Sequence, residues 1–224
     1  MAKPKVSIIF GTVDRVSCVE NLMRSITQYT PPIDYQVIIV DGSDQGSAWV
    51  SACKYPHTEC FGVSRSLGFA KAYNSGAQIA TGDYLVWLND DCLVTPRWLE
   101  RTVAFMVSHP NVGIGGLRFN EGLRVCVEQR IYNRYYANFG CIPMKLWKIL
   151  GGFDGRFHSY GADTDLSFRT LSRGLAVMPI PRVAVTHLRV QDALRHVMSK
   201  ERSNGIRIFN TLWAKRRHLL GTLA

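Results

Sequence analysis

Three short, largely apolar runs, each cut off by a polar turn, constrain this chain more than anything else in it. Val6 to Phe10 ends at Gly11-Thr12-Val13-Asp14-Arg15, Tyr35 to Val40 at Asp41-Gly42-Ser43-Asp44, and Tyr84 to Leu88 at Asn89-Asp90-Asp91. Runs that do not alternate apolar with polar suit strands buried on both faces, as in a parallel sheet covered by helices. Helical segments fall between them. They are Val16 to Tyr29, stopped by Pro31 and Pro32, a shorter one near Ala48 to Ala52, Leu67 to Ile79 before the stop signal Gly82, and Pro96 to Val107; a further strand follows at Val112 to Leu117. This alternation predicts an α/β fold with a mostly parallel central sheet flanked by helices. Ligands of such sheets bind beyond the carboxyl ends of the strands, so the three polar turns are expected to converge on one crevice.

After residue 118 the alternation weakens, and Tyr160 to Arg173 reads as a helix, Ala176 to Val185 as an extended run, and Asp192 onward as a basic helix or pair of helices. A chain of 224 residues suits one domain, here read as a nucleotide-binding half (1–117), an acceptor half (118–188) and a basic helical tail (189–224). No apolar stretch approaches the roughly 18 residues that span a bilayer, and the start lacks a signal-peptide shape, so a cytoplasmic protein is expected. Six cysteines without a CxxC pair read as reduced thiols. A net charge of +10 favours phosphates, nucleic acid or an anionic membrane surface as partners.

Two acidic clusters carry candidate chemistry. Asn89-Asp90-Asp91 puts oxygen ligands at a strand tip, where they suit Mg²⁺ or Mn²⁺ bridging a diphosphate, or else form a turn that caps the next helix. Asp163 and Asp165, two apart before a helix, are either caps or, for one that faces the crevice, a general base toward an acceptor hydroxyl. His187, at the end of the run Pro181 to His187, is either structural or a further ligand at the metal edge. There is no G-x-S-x-G elbow, Walker loop or clean G-x-G-x-x-G, which speaks against a serine hydrolase, a kinase and a dehydrogenase.

In order along the chain, GTVDR, IIVDGSD, GFAKAYNSGAQIATGDYLVWLNDD and GGFDGRFHSYGADTDLSFR resemble the motif blocks of glycosyltransferase family 2, from about Val6 to Leu220. The resemblance implies the GT-A (Rossmann-like) fold and metal-dependent, inverting transfer of a hexose from a nucleotide diphosphate sugar, usually UDP-linked. It assigns Thr12, Arg15, Asp41 and Asp90 to the nucleotide, Lys71 to the diphosphate, Asp91 and His187 to Mn²⁺ or Mg²⁺, and Asp163 to the catalytic base. Asn89 replaces the first Asp of a strict D-x-D, Ala162 replaces the Glu before the base, and Gly11 stands in for the usual Pro.

From Arg189 to the end there are eight Lys/Arg against two Asp/Glu, with Ile206, Phe209, Leu212 and Trp213 between them. The pattern fits a packed helix with a solvated basic face, a membrane-docking helix or a nucleic-acid contact. Arg118, Arg124, Arg130 and Arg134, interleaved with Phe119, Tyr132, Tyr135 and Tyr136, suit stacking and phosphate binding. The acceptor expected on that ground is a hydroxylated base in DNA, with a saccharide or lipid-linked glycan as the alternative. A nucleotidyltransferase and a non-catalytic nucleic-acid-binding protein are the rival classes. The first lacks its glycine-rich activation loop in GTVDR, and the retention of Asp91 and Asp163 argues against the second.

Overall fold

The computed structural model describes residues 5–30, 34–46, 48–49 and 54–220. The expected helix near Ala48 to Ala52 and the stop at Pro31 and Pro32 fall largely outside these residues. The strands are β1 (Val6–Thr12), β2 (Tyr35–Asp41), β3 (Thr58–Gly62), β4 (Tyr84–Trp87), β5 (Cys92–Leu93), β6 (Val112–Glu121), β7 (Arg124–Val127), β8 (Gln129–Ile131), β9 (Arg134–Tyr136), β10 (Phe139–Pro143) and β11 (Ala176–His187). The α-helices are α1 (Val16–Tyr29), α2 (Gly68–Ala77), α3 (Trp98–Ser108), α4 (Met144–Leu150), α5 (Ala162–Leu171) and α6 (Ala193–Trp213).

The central sheet runs β3-β2-β1-β4-β10-β6-β11-β5, with β7 added against β6. Strands β1, β2, β3, β4, β6 and β11 point one way and β5, β7 and β10 the other. The apolar runs alternate between two cores. Val6, Ile8 and Phe10 pack with α1 and α3 on one face, while Ile9, Ile38 and Val40 pack with α2 on the other. Gly76 lets α2 approach closely, since a Cβ there would lie 2.5 Å from Ile9 and 2.7 Å from Val40.

Two features of the second half position the site. Strand β11 pairs with β6 across a register shift between Pro179 and Ala184, then ends against β5, with His187 opposite Cys92. This pairing carries His187 to the residue next to Asp91. Helix α6 is anchored by its far end, where Phe209 and Trp213 pack on Phe168; before Gly205 none of its residues is buried. Gly205 itself seats the helix on the chain before α5, where a Cβ would lie 2.3 Å from the Tyr160 carbonyl oxygen. Among the described residues, no helix is long and apolar enough to cross a membrane.

Candidate active site

The turns after β1, β2 and β4 meet, and Arg15 ties them to the last helix. Thr12 Oγ1 donates to Asp90 Oδ2 at 2.8 Å, and Arg15 Nη1 donates to Asp90 Oδ1 at 3.1 Å. The other edge of the guanidinium grips Asp192 through Nε and Nη2, at 2.7 and 2.8 Å. Burial opposes the Arg15 charge, and Asp192 and Asp90 more than offset it. Burial also pushes the Asp90 carboxyl up, helped by Asp91 and opposed by Arg15. Asp41 is fully buried and turned into its own loop, accepting the Ser43 and Ala48 backbone N–H groups, both at 2.9 Å. It organises the turn rather than lining the cleft.

Asp91 is also fully buried, with three cationic or potentially cationic groups around it. Arg195 Nη2 donates to Oδ2 at 2.7 Å, Arg15 Nη1 stands 3.9 Å from the same oxygen, and His187 Nε2 lies 3.3 Å from Oδ1. Burial alone would raise this carboxyl, but His187, Arg195 and Arg15 hold it below the ordinary value. Asp91 Oδ1 and His187 Nε2 face each other without hydrogen-bond geometry, and both are buried atoms that lack a partner. On the far side of the ring, His187 Nδ1 stands 3.3 Å from Glu121 Oε2, and Arg189 holds Glu121 through Oε1 at 2.6 Å. A carboxylate on Nδ1 favours the tautomer with a lone pair on Nε2, the arrangement behind a metal-ligating histidine. The pair therefore fits a divalent cation, although no three His, Cys, Asp or Glu groups converge among the described residues. Such an ion would take its remaining ligands from substrate and water.

The two aspartates of α5 part company. Asp165 points into the protein, accepting from Arg169 Nε at 2.6 Å and from the Trp213 indole at 2.8 Å. It thereby pins α6 to α5. Asp163 lines the cleft and, among the described residues, meets only neutral donors: Asn138 Nδ2 at 3.1 Å, the Thr164 backbone N–H at 2.8 Å and the Thr164 hydroxyl at 3.4 Å. Burial without a cationic partner pushes its carboxyl up to about 6.

Thr12, Arg15, Asp90, Asp91, Asp163 and His187 are thus brought together on one cleft of about 1420 Å³. Lys71 is exposed, lies along Gly155 and does not line that cleft. Four participants were missed in the sequence: Asn138, whose Oδ1 is buried and unpartnered, Glu121, Arg195 and Asp192. Asp192 had a signal, since it caps α6 by accepting the Arg195 N–H at 2.9 Å. The others sit in no motif.

The layout defines an α/β protein with a nucleotide-sugar-type cleft. The chain belongs to Glycosyl transferase family 2, whose profile matches residues 7–157. It is 24% identical over 182 residues to the amylovoran biosynthesis glycosyltransferase AmsE of Erwinia amylovora, covering 73% of this chain and 68% of that protein. It is 25% identical over 220 residues to the O-antigen biosynthesis protein RfbC of Myxococcus xanthus, but spans only 17% of its length. Among solved structures it is similar to the mannosyltransferase PcManGT of Pyrobaculum calidifontis with GDP-Man and Mn²⁺, with a TM-score of 0.71, 19% identity, and 92% of this chain and 65% of that one covered. It is likewise similar to S. aureus TarS 1-349 with UDP-GlcNAc, with a TM-score of 0.74, 14% identity, and 92% and 66% covered. The fold is the GT-A fold of these enzymes.

Proposed function

We propose that this cleft moves a sugar from a nucleotide diphosphate sugar to an acceptor hydroxyl with inversion at the anomeric carbon, Asp163 acting as the base. One observation carries the reading: Asp163 faces the cleft with no cation beside it, while Asp165, two residues on, is neutralised by Arg169. A carboxylate raised to about 6 can accept a proton from a hydroxyl and still be ionised near neutral pH. Asn138 orients it through Nδ2, and its unpartnered Oδ1 is free to accept from the incoming hydroxyl. With one base and one displacement, the product has the opposite anomeric configuration to the donor.

Asp91 and His187 would hold Mn²⁺ or Mg²⁺, which when bound offsets the charge on the departing diphosphate. Thr12, Arg15 and Asp90 shape the nucleotide end, and the PcManGT complex with GDP-Man and Mn²⁺ supports a donor and metal of this kind. A saccharide acceptor is favoured over a DNA base, because three of the residues expected to stack on bases or hold phosphates are engaged elsewhere, although Phe119, Arg124 and Tyr136 line the cleft. Tyr135 is buried, Arg217 lies 3.8 Å over the Tyr132 ring, and Arg118 pairs with Glu128 at 2.7 Å. Incubation with Mn²⁺ and a panel of UDP- and GDP-sugars should release free nucleoside diphosphate from at least one donor. Folded protein that releases none from any of them, with or without metal, would refute the assignment.

A further inference from the structure

A second depression of about 380 Å³ adjoins the cleft, walled by Tyr160, Arg189, Asp192, Arg195, His196 and Arg202. Asp192, Arg195, Ser199 and Arg202 recur at helical spacing, so one stripe of α6 forms this wall. Its charge is strongly one-sided. The sole carboxylate among its lining residues, Asp192, is already held by Arg15. Arg189 and Arg195 are paired outward, to Glu121 and Asp91. The Arg202 guanidinium and the His196 ring have no carboxylate or hydrogen-bond partner among the described residues. Ser199, Gln191 and Tyr160 add neutral hydrogen-bonding groups.

Its place relative to the cleft tells which substrate it serves. Tyr160, Arg189, Asp192, Arg195 and Arg202 line both spaces, whereas Asn89, Asp91, Asp163 and His187 line the cleft alone; of the shared residues, Tyr160 stands on the segment that leads directly into α5 and Asp163. Tyr136 lines the same cleft as Asp163 and Arg202. The depression therefore borders the base side of the cleft. We propose that it is an oxyanion subsite, centred on Arg202, that holds a phosphate or carboxylate carried by the acceptor saccharide. Arginines suit this because their forked donors match planar and tetrahedral oxyanions. An acceptor bearing such a group is fixed at two points, its hydroxyl at Asp163 and its anion at Arg202, which positions the nucleophile.

The inference rests on the transferase reading only for the word acceptor, and the test separates the two. The full chain, saturated with UDP and Mg²⁺ to fill the nucleotide site, is titrated calorimetrically with inorganic phosphate and, separately, with glucuronate. Saturable binding of at least one anion is expected, weakened tenfold or more in Arg202→Ala and partly retained in Arg202→Lys. Tighter phosphate binding marks a phosphorylated acceptor, and tighter glucuronate binding an acidic sugar. Absence of saturable binding for both, equal affinity in Arg202→Ala, or loss of binding once UDP is present would overturn the proposal. Failure of UDP and of GDP alike to bind, with the anion still bound through Arg202, would refute the transferase reading and leave the anion subsite standing.

Discussion

Replacing Asp163 by Asn should abolish transfer and at the same time stabilise the protein. The buried carboxyl has its pKa pushed from 3.8 up to about 6, so folding disfavours its ionised form. The sign follows from linkage. The unfolded chain ionises near 4 and the folded one near 6, so stability falls as pH rises through that window and the deficit persists above it. A shift of this size corresponds to roughly 3 kcal/mol. Asn is nearly isosteric, keeps the Thr164 N–H through its one oxygen, can donate its amide to the unpartnered Asn138 Oδ1 once that amide turns over, and escapes that penalty. Melting of Asp163→Asn against the parent should show a Tm higher by roughly 5–10 °C at pH 8, shrinking toward zero at pH 4. Nucleoside diphosphate release in the presence of acceptor should fall by about 10²- to 10⁴-fold, the usual share of a general base. A variant that melts lower at pH 8, or transfers within threefold of the parent, would refute the reasoning.

The parent enzyme's kcat should fall about tenfold per pH unit below about 6, as Asp163 takes up its proton, which a pH–rate profile checks. Asp165→Asn removes the charge that Arg169 needs, and should lower Tm by several degrees while kcat per folded molecule stays within about threefold. Arg15→Ala leaves Asp90 and Asp192 without their shared cation and should cost roughly 3 kcal/mol, read by urea denaturation. Asp91→Asn should raise the Mn²⁺ concentration needed for half-maximal activity by tenfold or more, while His187→Gln does so less strongly.

The first half was legible in the sequence because strands β1, β2 and β4 are buried on both faces. Largely apolar runs ended by Gly, Asp or Asn located these three strands, and α1 falls on Val16–Tyr29 as its periodicity predicts. The later half was legible only in its helices α5 and α6 and in the long extended run that becomes β11. Strands β7, β8 and β9 have three or four residues each, too short to show a period, and β5 is a pair of residues defined by its partner. The convergence of Thr12, Arg15 and Asp90 followed from strand-end topology. The inward turn of Asp41 did not, because a strand-end aspartate can equally cap its own loop or reach a ligand. Lys71 sits on an exposed position of α2, and helical spacing from neighbouring motif residues did not reveal which face meets the cleft. Arg195 and Glu121 act through contacts 104 and 66 residues away in sequence, which no local pattern encodes.

Asp91 and His187 are the residues we propose to hold the cation that accompanies a nucleotide sugar in this cleft. Crystals grown with Mn²⁺ and UDP-GlcNAc or GDP-mannose, measured at the manganese absorption edge, test it most directly. An anomalous peak is expected within bonding distance of Asp91 Oδ1 and His187 Nε2, next to the donor diphosphate. Nucleotide bound with no peak at that place, or a peak held by other side chains, would contradict it.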